Sequence, residues 1–364
     1  MRNAVLVVKL NKNELFGVDT SVIERFSKRG YSFDEVLFLQ IDKERLTMSY
    51  AELKSRVENL LVVCDKRLLS WVSDTLFSQE GEFIKASIEG SGLLSKGAFT
   101  AFLVAENSLE SLQFVDSVCI PHLVKKYGVR YDKMVIKTVG APRERTEMLL
   151  DRTRRLSADR LAYNHKREYE SDCIEIFYDS NTPRMLTEDV LRIFADGLEE
   201  FIYALEDKSL EEQLVDMLKI RGKKIAVAES FTGGGIGKRI VSVPGASEVY
   251  FEGLNTYNEL SKMKRLGVQE YALKSFGAVS DETAYQMAAG LIAAGDVDVA
   301  IATTGIAGPK SDSTDFPVGL AYIAIGTREK VYVYRYKFDG DRKEITEKAI
   351  NHALFLAYRQ LKDI

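Results

Sequence analysis

One stretch of sequence decides the fold: residues 223–241 read KKIAVAESFTGGGIGKRIV. Its first part is an apolar run typical of a buried strand, and its last part resumes as a helix after a polar, glycine-rich turn. Strand, turn and helix in this order are the building block of α/β proteins. The stretch therefore predicts an α/β domain in which the hydroxyl of Ser230 lies at the end of a strand, on the rigid part of the fold.

The turn after Ser230 contains three successive glycines, from Gly233 to Gly235. Glycine lets several backbone N–H groups converge on one point, and a helix N-terminus adds positive potential. Such a turn suits an anion or the oxyanion of acyl transfer. The spacing fits neither of two known phosphate-binding motifs. A Walker loop needs four residues between its first glycine and the Gly-Lys pair, and three separate Gly233 from Gly237. A dinucleotide fingerprint that starts at Gly233 needs glycine where Lys238 stands. A turn with a structural role alone is the alternative.

A second group of candidate residues is Thr256-Tyr257 followed by Lys262. A serine nucleophile needs a neighbouring base, and serine-lysine pairs are one known solution. Such a lysine must be neutral to accept a proton, so burial or nearby positive charge must lower its pKa. The hydroxyl of Tyr257 could relay the proton or orient the lysine. The alternative is that Lys262 lies on a solvated helix face.

Two further segments contain residue types that suit a ligand site. Residues 304–309 read TGIAGP and close an apolar strand, so a ligand could approach the backbone there. Arg342 follows in FDGDR at the start of a helix, where a guanidinium could bind a phosphate with two hydrogen bonds. A surface arginine beside a helix cap is the alternative for Arg342.

The order of predicted elements divides the chain into three domains. Residues 1–130 alternate buried strands with amphipathic helices, which predicts parallel α/β layers. Residues 131–207 form a small α+β pattern with a strand, a helix, a second strand and a helix through residues 189–205. Near residue 208 the chain restarts, because Ser209 and Glu212 form a capping box before a new helix. The last domain therefore spans residues 208–364.

The composition excludes several classes of protein. Lys and Arg total 50 and Asp and Glu total 54, and a net charge of −4 provides no general attraction for nucleic acid or an anionic membrane. Three cysteines do not make a disulfide framework, and three histidines leave little for a metal site. The sequence also lacks a long apolar run and the pattern of a signal peptide. We therefore expect a cytoplasmic protein without a metal, a nucleic acid or a membrane as partner.

Six motifs occur in the order found in the CinA family. They are A-E-S-x-T-G-G at 228–234, T-Y-x(4)-K at 256–262, G-A-V-S at 277–280, T-G-I-A-G-P at 304–309, P-V-G at 317–319 and G-D-R at 340–342. Over about residues 209–364 the chain resembles the carboxy-terminal nicotinamide-nucleotide amidase domain of that family, the PncC type. The resemblance implies deamidation of nicotinamide mononucleotide to nicotinic acid mononucleotide and ammonia, in pyridine-nucleotide salvage, by a homodimer.

The resemblance also implies roles for single residues. Ser230 is similar to the family's nucleophile, Lys262 to its general base and Tyr257 to its assisting hydroxyl. The residues that would bind the oxyanion or the substrate are Thr232, Gly233, Gly234, Thr304, Gly305, Ala307, Gly308 and Arg342. The reaction implied is an acyl-enzyme mechanism that requires neither a metal nor a cofactor.

The chain departs from the family's pattern at two places. Lys310-Ser311-Asp312 stands where many relatives have further glycines, and Leu320 stands where a threonine usually follows P-V-G. Both departures affect the expected substrate loop and spare the proposed nucleophile and base.

The upstream parts resemble the other domains of full-length CinA proteins. Residues 131–207 are similar to the small KH-like middle segment, but no glycine occurs between Gly140 and Gly197. An RNA-binding KH module needs a G-x-x-G loop, so we expect no RNA binding.

Residues 1–130 resemble a degenerate molybdopterin-binding-like domain with an α/β/α architecture, whose active relatives are metal-dependent ADP-ribose pyrophosphatases. The family's loops correspond to residues 13–17 (NELFG), 63–69 (VCDKRLL) and 104–108 (VAENS), and the last two lack glycine and proline. A loop without glycine cannot easily present converging N–H groups to phosphate. We therefore expect that the pyrophosphatase activity is lost, that no cofactor binds there, and that the domain serves structure or assembly.

Two other functions compete with the amidase interpretation. One is a catalytically silent member of the family that binds a nucleotide and acts as a scaffold or regulator. The other is nucleic-acid binding, which only the family's historical name suggests and the charge balance does not favour. The presence of both Ser230 and Lys262 favours the enzyme, because a silent site would be free to lose them.

Overall fold

The computed structural model describes residues 2–10, 20–27, 29–78, 83–85, 91–158, 160–311 and 316–362. The chain divides into two compact units, of which the first comprises Met1–Lys133 and Phe177–Arg184 and the second Met134–Ile176 and Met185–Ile364. Among the described helices, none is both long and apolar enough to cross a membrane. The three-domain division of the sequence stays a prediction, and the structure places most of its middle segment in the second unit.

The first unit is built on a mixed sheet in the strand order β2-β1-β3-β6-β5-β4. Strands β2, β1, β3 and β6 are parallel, and β5 and β4 add antiparallel pairs at one edge. Its elements are β1 (Asn3–Lys9), α1 (Ser21–Ser27), β2 (Glu35–Gln40), α2 (Lys43–Arg56), β3 (Asn59–Cys64), a 3-10 turn (Lys66–Leu68), α3 (Leu69–Phe77), β4 (Phe83–Lys85), β5 (Gly92–Lys96), β6 (Phe99–Ala105), α4 (Leu109–Phe114), a π-helical turn (Val115–Cys119) and α5 (Ile120–Tyr127).

The central strands of this sheet are buried on both faces. Every residue of β1, β3 and β6 is buried. One face packs against α2 and α3 around Leu6 and Leu60, and the other packs against α1 and α5 around Val7 and Phe102. A parallel sheet with both faces covered by helices reads as a continuous apolar run rather than an alternation. The predicted α/β fold class is confirmed.

A buried ion pair closes the carboxyl edge of this sheet. Lys9 ends β1 and Glu106 follows β6, and the two side chains form an ion pair in which 3% of the lysine and 10% of the glutamate side chain is exposed. Cys64 ends β3 beside them, and its burial raises the pKa of its thiol. Open α/β sheets bind ligands at this edge. Of the three expected loops, residues 63–69 run from the end of β3 through the 3-10 turn, which Asp65 caps, into α3. Residues 104–108 run from the end of β6 to the residue before α4, and residues 13–17 lie outside the described residues.

Next along the chain come a sheet in the order β10-β7-β9-β8 and two helices, most of whose residues belong to the second unit. Its elements are β7 (Tyr131–Val139), α6 (Arg143–Ser157), β8 (Ala162–Glu168), β9 (Ser171–Asp179), α7 (Arg184–Leu198), a 3-10 turn (Glu199–Phe201) and β10 (Ile202–Ala204). The prediction of one helix through residues 189–205 is corrected, because α7 ends at Leu198 and residues 202–204 pair with β7.

The larger sheet of the second unit has the order β12-β11-β13-β14-β15. Strand β11 is parallel to both of its neighbours, and β13, β14 and β15 form antiparallel pairs. The elements are α8 (Leu210–Arg221), β11 (Ile225–Glu229), α9 (Gly235–Val241), a 3-10 turn (Ala246–Glu248), β12 (Tyr250–Asn255), α10 (Glu259–Leu266), α11 (Glu270–Phe276), α12 (Asp281–Ala293), β13 (Val299–Gly305), β14 (Leu320–Thr327), β15 (Val331–Lys337) and α13 (Arg342–Lys362).

Helices cover both faces of this sheet and fix the element that carries Lys262. Helices α8, α9 and α13 share one apolar core, and α10 and α12 share another. Gly290 of α12 lets the two helices of the second core approach closely, because a Cβ there would lie 2.0 Å from the carbonyl oxygen of Leu266. The capping box of Ser209 with Glu212 is present, as is the hairpin of β14 and β15.

Candidate active site

Ser230 lies where three parallel strands end together. It follows β11, and the neighbouring strands β12 and β13 end beside it at Asn255 and Gly305. The backbone N–H of Thr256 donates to the carbonyl oxygen of Glu229 at 2.8 Å, so the ends of β11 and β12 are tied together. Ser230 itself is 8% exposed. This is the crevice at the carboxyl edge in which α/β sheets place their ligands.

Lys262 donates from its Nζ to the Oγ of Ser230 at 3.0 Å. The same Nζ lies 2.6 Å from the carbonyl oxygen of Thr256 and 3.5 Å from that of Tyr257. Lys262 is 1% exposed, although it belongs to the short polar helix α10. The structure therefore brings together the two residues that the sequence pairs, and the solvated helix face is not where Lys262 lies.

Burial alters the protonation of Lys262. Loss of hydration lowers the pKa of its ammonium group to about 8, and the negative charge of Glu259 opposes part of that shift. An ordinary lysine is almost wholly protonated at neutral pH. A lysine with this pKa has a usable neutral fraction and can act as a base toward the hydroxyl beside it.

The side chains of Tyr257 and Arg342 contact each other at the edge of the site. The Tyr257 side chain is 62% exposed, and its hydroxyl accepts from Nη2 of Arg342 at 3.4 Å. The Nη1 of Arg342 donates to the carbonyl oxygen of Gly308 at 2.7 Å. The sequence interpretation gave the hydroxyl of Tyr257 to the lysine. In the structure the carbonyl oxygen of Tyr257 lies near Nζ, and the hydroxyl of Tyr257 contacts Arg342 instead.

Gly233 and Gly234 shape the turn with their backbone conformation. Their φ angles are +62° and +94°, in the left-handed region that favours glycine. The N–H of Gly233 donates to the carbonyl oxygen of Ser230 at 3.1 Å, and that of Gly234 donates to the Glu229 carboxylate at 3.0 Å. Both N–H groups are therefore occupied within the turn, and the oxyanion role of the turn Thr232, Gly233 and Gly234 stays a prediction. None of the bonds in the turn uses the N–H of Phe231 or Thr232.

Threonines line the ends of β11 and β13. The hydroxyl of Thr232 is buried and lies 2.8 Å from that of Thr303. Thr304 donates to the carbonyl oxygen of Ala278 at 2.6 Å, which fixes the loop that leads into α12. Sequence reasoning missed Thr303, although a second hydroxyl beside Thr304 in an otherwise apolar strand was a usable signal.

The segment after β13 packs closely against the turn of Ser230. A Cβ on Gly305 would lie 2.9 Å from the Phe231 ring and 2.8 Å from the carbonyl oxygen of Leu320, so the close approach requires glycine. Ala307 is buried with Phe231 in one small apolar cluster. The side chain of Leu320, one of the departures, fills another cluster with Val279 and Ile306.

The second departure lies partly outside the described residues. Lys310 and Ser311 are described, and Ser311 donates from its hydroxyl to the carbonyl oxygen of Phe316 at 2.6 Å. Residues 312–315 are not described.

Fold and site together define a class: an α/β domain that carries a buried serine-lysine pair at the carboxyl edge of its parallel strands. Residues 207–361 match the family described as CinA C-terminal domain. A relative from Caldicellulosiruptor saccharolyticus, named putative competence-damage inducible protein, is 48% identical over 43% of this chain and 38% of its own length. The CinA-like protein of Kosmotoga olearia is 42% identical over 46% of this chain and 40% of its own length.

Solved structures of the same family are also similar to this chain. The competence/damage inducible protein CihA from Agrobacterium tumefaciens is 35% identical with a TM-score of 0.40, covering 42% of this chain and 93% of its own. A CinA superfamily protein from Escherichia coli is 29% identical with a TM-score of 0.41, covering 44% of this chain and 94% of its own. Through residues 207–361 the chain belongs to the CinA C-terminal domain family. The matched part spans about two fifths of the curated relatives.

Proposed function

We propose that the carboxy-terminal domain hydrolyses the carboxamide of nicotinamide mononucleotide to nicotinic acid mononucleotide and ammonia. The observation that carries the proposal is the 3.0 Å contact between the Nζ of Lys262 and the Oγ of Ser230, in a buried site. The motif order shared with the family's amidases supports the substrate class.

The proposed reaction proceeds in two halves. The Oγ of Ser230 attacks the carboxamide carbon while its proton passes to the neutral Nζ of Lys262. The tetrahedral intermediate then expels ammonia, which takes that proton, and leaves an ester on Ser230. Water attacks the ester with Lys262 again as the base, and the acid is released with Ser230 restored. The carbonyl oxygens of Thr256 and Tyr257 hold Nζ in line with the serine.

The oxyanion requires hydrogen-bond donors near Ser230. Because the N–H groups of Gly233 and Gly234 are bonded within the turn, we assign this role to the N–H of Thr232 and of Phe231. The two glycines contribute the left-handed turn that brings those groups into place.

Arg342 is the proposed contact for the phosphate of the substrate. It begins α13, a helix of 21 residues, so the helix N-terminus and the guanidinium both favour an anion there. Thr304, Gly305, Ala307 and Gly308 would line the path of the ribose and the ring. A homodimer is part of the same proposal and rests on the family resemblance alone.

The pH dependence of turnover follows from Lys262. Only the neutral amine accepts the serine proton, so we expect kcat to rise about tenfold per pH unit at low pH and to level off above a midpoint near the Lys262 pKa of about 8. Initial rates from about pH 6 to about pH 10 check this. The Glu259→Gln variant should move the midpoint to lower pH, because the carboxylate favours the charged amine, and Glu270→Gln on the next helix should not. A flat profile would contradict the role of Lys262.

The direct test of the function is ammonia release from nicotinamide mononucleotide by the purified full chain. We expect release with this nucleotide and much less with free nicotinamide, which lacks the phosphate that Arg342 would bind. If the nucleotide binds without any turnover, the scaffold interpretation replaces the amidase. If nucleic acid binds and the nucleotide does not, the amidase interpretation and the scaffold interpretation are both wrong.

For the first unit we predict that ADP-ribose is not hydrolysed. The Lys9–Glu106 ion pair lies at the carboxyl edge of its sheet, and the segment 63–69 contains the 3-10 turn Lys66–Leu68, whose cap Asp65 accepts from the N–H of Arg67 at 2.8 Å. Release of AMP from ADP-ribose with Mg²⁺, Mn²⁺ or Co²⁺ added to the full chain is the measurement. Metal-dependent release above the background of a heat-denatured sample would overturn the prediction.

A further inference from the structure

The carboxylate of Glu229 is buried directly beneath the nucleophile's turn. Glu229 ends β11, immediately before Ser230, and is 1% exposed. Its Oε2 accepts from the N–H of Gly234 at 3.0 Å and of Ile236 at 3.1 Å, and its Oε1 accepts from the N–H of Gly237 at 2.9 Å. A buried carboxylate is costly unless it is well hydrogen-bonded, and this one has three backbone donors at the start of α9.

The main chain of Glu229 reaches the other half of the site. Its carbonyl oxygen accepts from the N–H of Thr256, and the carbonyl oxygen of Thr256 holds the Nζ of Lys262 at 2.6 Å. One residue therefore contacts the turn that carries the serine and the strand end that orients the lysine.

The phenol of Tyr250 lies close to this carboxylate. Burial and the charge of Glu229 raise the pKa of Tyr250 to about 12. Two glycines make room for the phenol, because a Cβ on Gly237 or on Gly253 would lie 2.5 Å or 2.2 Å from its oxygen. The pKa of the Tyr250 phenol therefore reports on the charge of Glu229 in the same domain.

We propose that Glu229 is a positioning residue that sets the distance and direction between Ser230 and Lys262. The proposal rests on the proposed function for its catalytic readout. The carboxylate occupies the N–H groups of Gly234, Ile236 and Gly237, so the start of α9 binds the protein's own anion and fixes the turn. The fixed turn also includes Phe231 and Thr232, whose N–H groups are the proposed donors to the oxyanion.

The variant Glu229→Gln tests this with little change of volume. Its amide nitrogen is a donor that would face a backbone N–H, so at least one of the three bonds is lost. We expect kcat to fall about 100-fold while KM for the nucleotide stays nearly constant, because misplacement of about 1 Å has a cost of this size. Glu229→Asp keeps the charge but is shorter, so it should recover part of the rate. The matched control Glu252→Gln, on β12 and also near Tyr250, should retain the native rate.

A second readout separates this proposal from the function it rests on. A fluorophosphonate reagent phosphonylates an activated serine without any nucleotide, because the serine oxygen attacks phosphorus and fluoride leaves, and Ser230→Ala gives its background. We expect Glu229→Gln to react with it far more slowly than the wild type, at an unchanged circular dichroism spectrum. The pKa of the Tyr250 phenol should also fall once the neighbouring charge is removed. If the wild type reacts with the reagent but does not deamidate the nucleotide, the function fails and the role of Glu229 is still measured.

Unchanged fluorophosphonate reactivity in a folded Glu229→Gln variant would overturn the proposal. If that variant does not fold, amide hydrogen exchange on the wild type decides instead. The N–H groups of Gly234, Ile236 and Gly237 should be strongly protected, and exchange as fast as in an exposed loop would contradict the bonds to Glu229.

Discussion

Replacing Ser230 with alanine is expected to lower ammonia release from nicotinamide mononucleotide by at least about 10³-fold. The Oγ of Ser230 is the proposed atom that forms the ester, and Lys262 faces it at 3.0 Å. Alanine removes the nucleophile but leaves the turn, whose bonds come from the backbone and from Glu229. Binding of the nucleotide should therefore persist while turnover is lost.

Steady-state ammonia release and calorimetric binding of the nucleotide together check this prediction. The matched control is Ser261→Ala, which removes a hydroxyl from the same neighbourhood, on α10 beside Lys262. We expect this control to keep the native rate. Turnover by Ser230→Ala within about tenfold of the wild type would exclude Ser230 as the nucleophile.

The apolar periodicity of the sequence was sufficient to predict most of this fold. The run ending at Glu229 is a buried strand, and the capping box at Ser209 occurs where the sequence places it. These features are local, so neighbouring residues determine them. Strand β8 was missed because its residues alternate between exposed and half-buried positions, without the apolar alternation that signals a strand.

The partners within the site depend on tertiary contacts that no local pattern contains. The spacing of Tyr257 and Lys262 suggested a hydroxyl beside the amine, yet Tyr257, two residues after β12, directs its hydroxyl toward Arg342. The three glycines suggested free N–H donors, yet Glu229 accepts from one of them across the turn. A carboxylate at the end of the apolar run IAVAE was the signal for that contact, because a buried acid needs donors.

Replacing Lys262 is expected to lower ammonia release about as much as Ser230→Ala does, because it removes the base rather than the nucleophile. Lys262→Met keeps the length and the apolar stem but has no base, so ammonia release should fall at least about 10³-fold. Lys262→Arg keeps a positive charge near Ser230, but a guanidinium with a pKa above about 12 accepts no proton at neutral pH. Both variants should therefore be inactive, whereas a purely electrostatic role for the lysine would leave the arginine variant active.

Comparison with another lysine of α10 distinguishes loss of the proposed base from loss of one positive charge on that helix. Lys264 is exposed two residues further along, and Lys264→Met should retain the native rate and the native pH profile. The fluorophosphonate reactivity of Ser230 should fall in Lys262→Met and persist in Lys264→Met, because Lys262 contacts the serine oxygen whereas Lys264 is exposed. If Lys262→Arg turns over the nucleotide within about tenfold of the wild type, the proton must leave Ser230 by another group. The carbonyl oxygens that hold Nζ could not take it, so the base would have to come from the substrate or from water.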